Sequence, residues 1–492
     1  MSRAAALLAL LALLALLAAA GPAERGAAGE PDWNAIGDQA ARALSGYVQI
    51  DTTNPPGNEL AGALYLKRFF DAEGIASQLY ESAPGRANLV ARLPATTAGA
   101  PAAGPVLLLS HIDVVPADPA AWSFPPFSGA IENGAVYGRG AIDDKGHGIA
   151  HAFAFALLHR LGTPRNRDVV FAATAAEEAG FDVGADWMVE HHWDALGPPV
   201  VVWNEGGLST RNPIASGRIL NAISTTEKRA LWMTLHATGE GGHGSQPVQN
   251  GASDRVVRAL YRIETHPTPL HITPTVEEML RRASYAAGFP VDLALRNISN
   301  PLVLRLAQPQ FERSRITNAM VRDTIAVTGL RAGVKHNVIP RTAEAMLDVR
   351  LLPDTDANAF LGWLKLVIDD PSVEIQLEPD GDLTAFRSWR ERVLGNADAP
   401  VHESPADNEL FLALESELAR EFPDALSVPL QTTGGSDSKW FRARGVPSYG
   451  YLPALGDEAL VATIHGLDER MPVAELARAI RVEYQTLVRL SR

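Results

Sequence analysis

Two glutamates stand side by side in the stretch TAAEEAGFDVG, at Glu177 and Glu178, directly after the apolar run DVVFAA. Successive side chains diverge by about 180° on a strand and about 100° on a helix, so neighbouring glutamates do not readily serve one atom. They can serve two tasks. A solvated loop explains such a pair when it stands alone, because charged residues are mostly exposed. Here it has company. In chain order, the polar groups that close apolar runs or open turns are His111 and Asp113 in LLLSHIDVVPAD, Asp143 and Asp144 in GRGAIDDKG, Glu177 and Glu178, Glu205 in WNEGG and His465 in IHGLDER. Each has an ordinary explanation by itself; together they form a recurring set of one chemical type.

The chain has no cysteine, which removes disulfides, thiolate metal sites and cysteine nucleophiles at once. Any metal site must therefore use His, Asp and Glu, and nitrogen and carboxylate donors suit Zn²⁺, with Co²⁺ or Mn²⁺ as alternatives. Two such ions roughly 3.5 to 4 Å apart need a carboxylate between them. In that setting one of the paired glutamates binds metal while its neighbour stays free as a base.

These groups have to be positioned by a fold. At 492 residues the chain exceeds one compact core, and 46% hydrophobic with 20% charged residues is the composition of an ordinary globular protein. Forty-three basic against 57 acidic residues, a net charge of -14, argue against a nucleic-acid partner. The runs NLVARL, PVLLLSHID, DVVFAAT and VVVWNEGG read as buried strands, and GIAHAFAFALLHRLG and VGADWMVEHHW as helices between them. Strands alternating with helices predict an α/β domain with a mostly parallel central sheet, whose functional groups gather at the strands' carboxyl ends.

From about residue 226 the texture changes to strands and helices of a smaller α+β module, with an apolar, largely helical insertion at 270–320; from about 400 the α/β texture returns. The expected organisation is a catalytic domain at 32–225 and 399–492, interrupted by a lid or dimerisation domain at 226–398. The N-terminus carries Arg3 and then an unbroken apolar run from Ala4 to Ala20, with Ala18 and Ala20 as a small-x-small cleavage site. This reads as a signal peptide over 1–23 and predicts export to the periplasm or medium. An uncleaved anchor is the alternative, the run lying at the short end of the ~17 to 25 residues that span a bilayer.

The ordered motifs resemble those of the dinuclear zinc metallopeptidase family that includes aminoacylase, carboxypeptidase G, carboxypeptidase S and succinyl-diaminopimelate desuccinylase. The likeness runs from about residue 40 to the C-terminus. The insertion and the style of WSFPPFSGAIENGAVYGRGAIDDKG are most similar to carboxypeptidase S and the secreted N-fatty-acyl-amino-acid hydrolase. The resemblance implies two zinc ions, one held by His111 and Glu205, the other by Glu178 and His465, with Asp143 bridging. It implies Asp113 as the carboxylate that orients His111, Glu177 as the general base, and a cis peptide between Asp143 and Asp144. In the lid it implies that His243, in GGHGSQP, stabilises the oxyanion and that Asn337 and Arg350 grip the substrate; Gly435 and Ser436, in GGSDS, belong to a substrate-binding loop. The implied activity is cleavage of an amide bond beside a free carboxylate in a small molecule, an N-acyl amino acid or short peptide, by a protein able to dimerise through its lid. A dipeptidase or aminopeptidase is the alternative within the family, and a non-catalytic binding protein the alternative outside it. A serine hydrolase lacks support, since no G-x-S-x-G elbow occurs.

Overall fold

Apolar runs bounded by polar turns form the strands of the main sheet: β1 (Ser77–Ala83), β2 (Arg86–Leu93), β3 (Val106–His111), β4 (Val169–Thr174), β5 (Val201–Arg211), β6 (Ile219–Glu227), β7 (Leu426–Thr432) and β8 (Ser448–Gly456). The structure, a computed structural model, describes residues 31–97, 104–211, 217–378, 382–398 and 401–492. The segment read as a signal peptide lies outside them. The sheet is eight-stranded, in the order β1-β2-β4-β3-β5-β8-β6-β7. Its middle strands β4, β3, β5 and β8 run parallel, whereas β1 and β2 join antiparallel at one edge. Strands β3 and β4 are buried at every position, as strands covered on both faces must be, which is why they read as unbroken apolar runs.

Helices α1 (Trp33–Val48), α2 (Lys145–Arg160) and α3 (Val473–Leu490) pack together in the core beside this sheet. Asp32 caps α1 by accepting the Asn34 and Ala35 N–H groups. Helix α2 is buried continuously from Lys145 to Leu158; a helix apolar around its circumference belongs inside a protein.

A second, antiparallel sheet has four strands in the order Thr324–Ala332, Thr342–Leu351, Arg229–Thr238 and Val373–Leu377. Its two central strands largely alternate buried and open positions, and helices Ala252–Thr265 and Ala357–Ile368 fill the buried side. The chain enters this sheet directly from β6 through Lys228, whose buried ammonium donates to the carbonyls of Ala319 and Arg322 and to Thr324 Oγ1. The insertion is helical, at Pro274–Ala283, Val291–Arg296, Pro301–Glu312 and Arg315–Met320. Its first helix packs on the edge strand β7. The later helices wall an apolar groove of about 1060 Å³, lined by residues such as Leu295, Ile298, Leu306 and Ile316; none of its lining residues is a candidate site residue.

Several strands are weakly marked in the sequence. Strand β1, SQLYESA, is mostly polar because it lies at an edge, and β7, LSVPLQT, carries Pro429 at the opposite edge, where a missing donor is tolerated. Among the described residues no helix is long and apolar enough to cross a membrane.

Candidate metal centre

His111 closes β3 and is 2% exposed. Asp143 lies in the turn before α2, Glu177 and Glu178 follow β4, and His465 lies between helix Glu458–Val461 and strand Arg470–Pro472. Glu205 departs from the expectation of a strand end: it lies within β5. Strand β5 pairs with β3 only through Trp203 and then bulges against β8, with Gly206 at φ +146°, so Glu205 leaves the flat ladder. Gly450 on β8 permits this crossing, because a Cβ there would stand 1.8 Å from the Glu205 carbonyl oxygen.

The side chains converge. Asp143 presents one carboxylate oxygen to each of two imidazoles: Oδ1 is 3.0 Å from His111 Nε2, and Oδ2 is 3.1 Å from His465 Nε2. His465 Nε2 is also 3.0 Å from Glu178 Oε1, and His111 Nε2 is 3.9 Å from Glu205 Oε1. The adjacent glutamates diverge as neighbours must. Glu177 groups with His111 and Glu205, and Glu178 with His111 and Asp143, donor atoms within 4.8 Å in each set. Ala176, at φ +58°, turns the chain out of β4 just before them, and His465 is itself left-handed at φ +56°.

Asp113 does more than face His111. The nearest acceptor to His111 Nδ1 is the Asp113 carbonyl, at 3.0 Å, with the carboxylate at 3.4 Å. That carboxylate also accepts the backbone N–H groups of Glu177 and Glu178 and the Asn54 amide at 2.8 Å, so it anchors the turn carrying both glutamates. The Asp143–Asp144 peptide is cis, as expected. Asp144 accepts the His111 N–H at 3.0 Å.

Electrostatics shows what such a cluster needs. Burial pushes Glu177 and Glu205 well above the usual carboxylate range; Glu178 and Asp437 repel Glu177, and Asp143 and Glu177 repel Glu205. Glu178 is raised, burial again the largest cause. His465 is pushed up to about 10 by Asp143 and Glu178. For His111, burial is the largest influence and acts downward, but Asp113, Asp143, Glu205 and Asp144 together carry it well above its ordinary value. The carboxylates thus compete for too little positive charge, the condition a divalent cation relieves. The donor spacing also fits: tetrahedral bonds of about 2.0 to 2.1 Å put donor atoms about 3.3 Å apart, and the separations here run from 3.0 to 3.9 Å.

The three residues expected to lie in a lid are placed differently. His243 is exposed on the two-residue strand Gly242–His243, with Nδ1 bonded to Ser245. Asn337 accompanies it, its carbonyl accepting the Gly244 N–H. Arg350 is half-buried and forked onto Asp348, at 2.7 and 3.1 Å. Among the described residues no hydrogen bond or ion pair joins these three to the cluster. The 434–438 loop lies nearer. Asp437 accepts from Thr174 at the end of β4 and is pushed up to about 7 by burial, while Ser436 donates to Glu227. Gly435 is exposed beside Lys228, Lys439 and Arg442 in a small cavity.

The structure adds residues that sequence reasoning missed. Glu469, fully buried, accepts from Arg139 at 2.7 Å and from the N–H groups of Gly140, Ile142 and Asp143. Arg139 in turn donates to the carbonyls of His465 and Gly466. One buried ion pair therefore ties together the loops bearing Asp143 and His465. Both members sit within the quoted motifs GRGAIDDKG and IHGLDER, but nothing local pairs them. Asn54 carried no signal beyond its polarity, and Asp437 entered only as a member of the quoted GGSDS loop.

The model of peptidase family M20/M25/M40 matches residues 107–489. The chain is 29% identical over 405 residues to the human N-fatty-acyl-amino acid synthase/hydrolase PM20D1, covering 79% of this chain and 74% of that protein. It is 25% identical over 451 residues to aminoacylase-1 of Sus scrofa, covering 90% and 93%. Among solved structures, the M20 family metallo-carboxypeptidase Sso-CP2 of Sulfolobus solfataricus superposes with a TM-score of 0.67 over 92% of this chain and 99% of that one, at 19% identity.

Proposed function

The chain belongs to peptidase family M20/M25/M40, a family of metal-dependent hydrolases, and on that premise we propose that it cleaves an amide bond beside a free carboxylate, in an N-acyl amino acid or a short peptide. His111 and Glu205 would hold one divalent cation, Glu178 and His465 a second, and Asp143 both; zinc suits the donors best. Such cations supply Lewis acidity, polarising the amide carbonyl and acidifying water near neutral pH. Glu177 is the proton acceptor from water and the donor to the leaving amine, the task its burial and raised pKa suit. Asp113 positions His111 and the glutamate turn. His243 supplies a hydrogen bond to the developing oxyanion, and Asn337, Arg350, Gly435 and Ser436 hold the substrate, with arginine matched to a carboxylate. Since no hydrogen bond or ion pair among the described residues joins His243, Asn337 or Arg350 to the cluster, these roles require the lid to close or a second copy of the chain to contribute. Export follows from the N-terminal apolar segment.

The observation that carries the reading is the single carboxylate of Asp143 set between two imidazoles, with Glu177 beside them. The test uses purified protein on a panel of N-acyl amino acids and dipeptides. Exhaustive chelation should abolish hydrolysis, and about two equivalents of Zn²⁺ should restore it. Full activity in metal-free protein would end this reading; hydrolysis of dipeptides alone would move the substrate assignment to the dipeptidases.

A further inference from the structure

A second group of metal-ligating side chains lies inside the core, where the proposed reaction makes no use of it. His147 and His151 stand one turn apart on the same face of α2, and Glu483 meets them from α3. They are 1%, 0% and 0% exposed. His151 Nδ1 is 2.8 Å from Glu483 Oε2, and His147 Nε2 is 3.9 Å from Glu483 Oε1. One donor atom from each residue falls within a 4.8 Å cluster.

Their polar atoms are poorly satisfied. Nε2 of each histidine and Oε1 of Glu483 are buried with no hydrogen-bond partner, and His147 Nδ1 makes none either, with the Asp144 carboxylate 3.2 Å away but out of line for one. Buried polar groups are almost always paired, and a concentration of orphans on three adjoining side chains calls for a missing partner. The ion pairs of Glu483 are with the two histidines, and no lysine or arginine among the described residues joins them. A proton on Glu483 would answer the charge but would still leave His147 Nε2, 3.9 Å from Oε1, without a partner, which a cation between them supplies.

We propose that His147, His151 and Glu483 bind a structural divalent cation, zinc by their N₂O donor set, separate from the candidate catalytic centre. Tetrahedral bonds of about 2.0 to 2.1 Å place donors about 3.3 Å apart, and the separations straddle that value, 2.8 Å from His151 Nδ1 to Oε2 and 3.9 Å from His147 Nε2 to Oε1, so each carboxylate oxygen faces one imidazole. A zinc-bound imidazole usually offers its other nitrogen to a carboxylate, and His147 Nδ1 has Asp144 Oδ1 at 3.2 Å. Glu483 and Asp144 together also balance the charge of a dication. The site is closed to solvent, so it holds its ion in place rather than turning over substrate, and the ion enters as the chain folds. Asp144 connects the two centres, because its other oxygen accepts the backbone N–H of His111.

Crystals of the full chain, produced with added zinc, test this by anomalous diffraction on either side of the zinc absorption edge. The expected result is a peak enclosed by His147, His151 and Glu483, distinct from any at His111, Asp143 and His465. Density at the catalytic cluster with none here would overturn this proposal and leave the catalytic reading intact. In solution, His151→Leu should carry one equivalent of zinc fewer than wild type after dialysis against chelator-free buffer. An unchanged zinc content in the folded variant would also overturn it, and should the variant not fold, the wild-type diffraction decides.

Discussion

Replacing Glu469 by glutamine would remove the clamp between the loops of Asp143 and His465 while keeping its shape. The carboxylate accepts four N–H groups, two on each oxygen: Arg139 at 2.7 Å and Gly140 at 3.1 Å on Oε2, Ile142 at 2.9 Å and Asp143 at 3.0 Å on Oε1. An amide keeps one acceptor and turns an NH₂ toward two donors, so two hydrogen bonds are lost whichever way it faces. Hydrogen bonds to charged groups are worth about 1.5 to 3 kcal/mol each, and removing one member of a buried ion pair costs about 3 to 5 kcal/mol. The two figures count the same contacts, so Glu469→Gln should cost about 3 to 5 kcal/mol in all, a factor of roughly 10² to 10³ or more in the folding equilibrium. Urea unfolding followed by tryptophan fluorescence measures this, reading the first transition, since a chain of this size need not unfold in one step. Calorimetric titration with zinc should show weaker binding too, because each end of the clamp holds a loop that bears a proposed ligand. Glu409→Gln is the control: its partner Arg167 is reached at the surface, with 42% of the glutamate side chain exposed, so the loss should stay under about 1 kcal/mol. If Glu469→Gln cost no more than this control and left zinc binding unchanged, the clamp would have no energetic meaning.

The neighbouring glutamates should separate by assay: Glu177→Gln is expected to keep both metals and lose roughly 10² to 10⁴ in rate, while Glu178→Ala loses affinity for one metal. Metal analysis showing the opposite pattern would exchange the two roles. Arg350→Ala should reduce the preference for acid over C-terminally amidated substrates by about 2 kcal/mol, the low end of broken charge pairs, because Asp348 already occupies much of the guanidinium; kcat/KM on matched acid and amide pairs measures it, and undiminished discrimination would remove Arg350 as the anchor. Gly450→Ala places a Cβ against the Glu205 carbonyl and should cost about 1 to 3 kcal/mol through forced separation of β5 and β8. An unchanged melting temperature and zinc content would show that the strands accommodate it freely.

Much of the chemistry was legible in one dimension because it depends on residue type and local pattern. The absence of cysteine restricted any metal site to nitrogen and oxygen donors, and the buried strands announced themselves as apolar runs ending in His111 or preceding Glu177. Period and composition mark burial, so β3, β4 and α2 could be found without knowing their neighbours. Neighbours are what the sequence does not carry. Glu469 and Arg139 are 330 positions apart, and His151 and Glu483 are 332; no local preference relates such residues, and they meet only because strand order and helix packing set α2 against α3 and the 465–470 loop against the 139–143 turn. The same packing put Glu205 inside a bulged strand rather than at its end and set β2 antiparallel to β4. Residue type thus determined which reactions were chemically open, while the placement of each charge beside its partner was decided by the summed burial of the whole core, a quantity no short stretch contains.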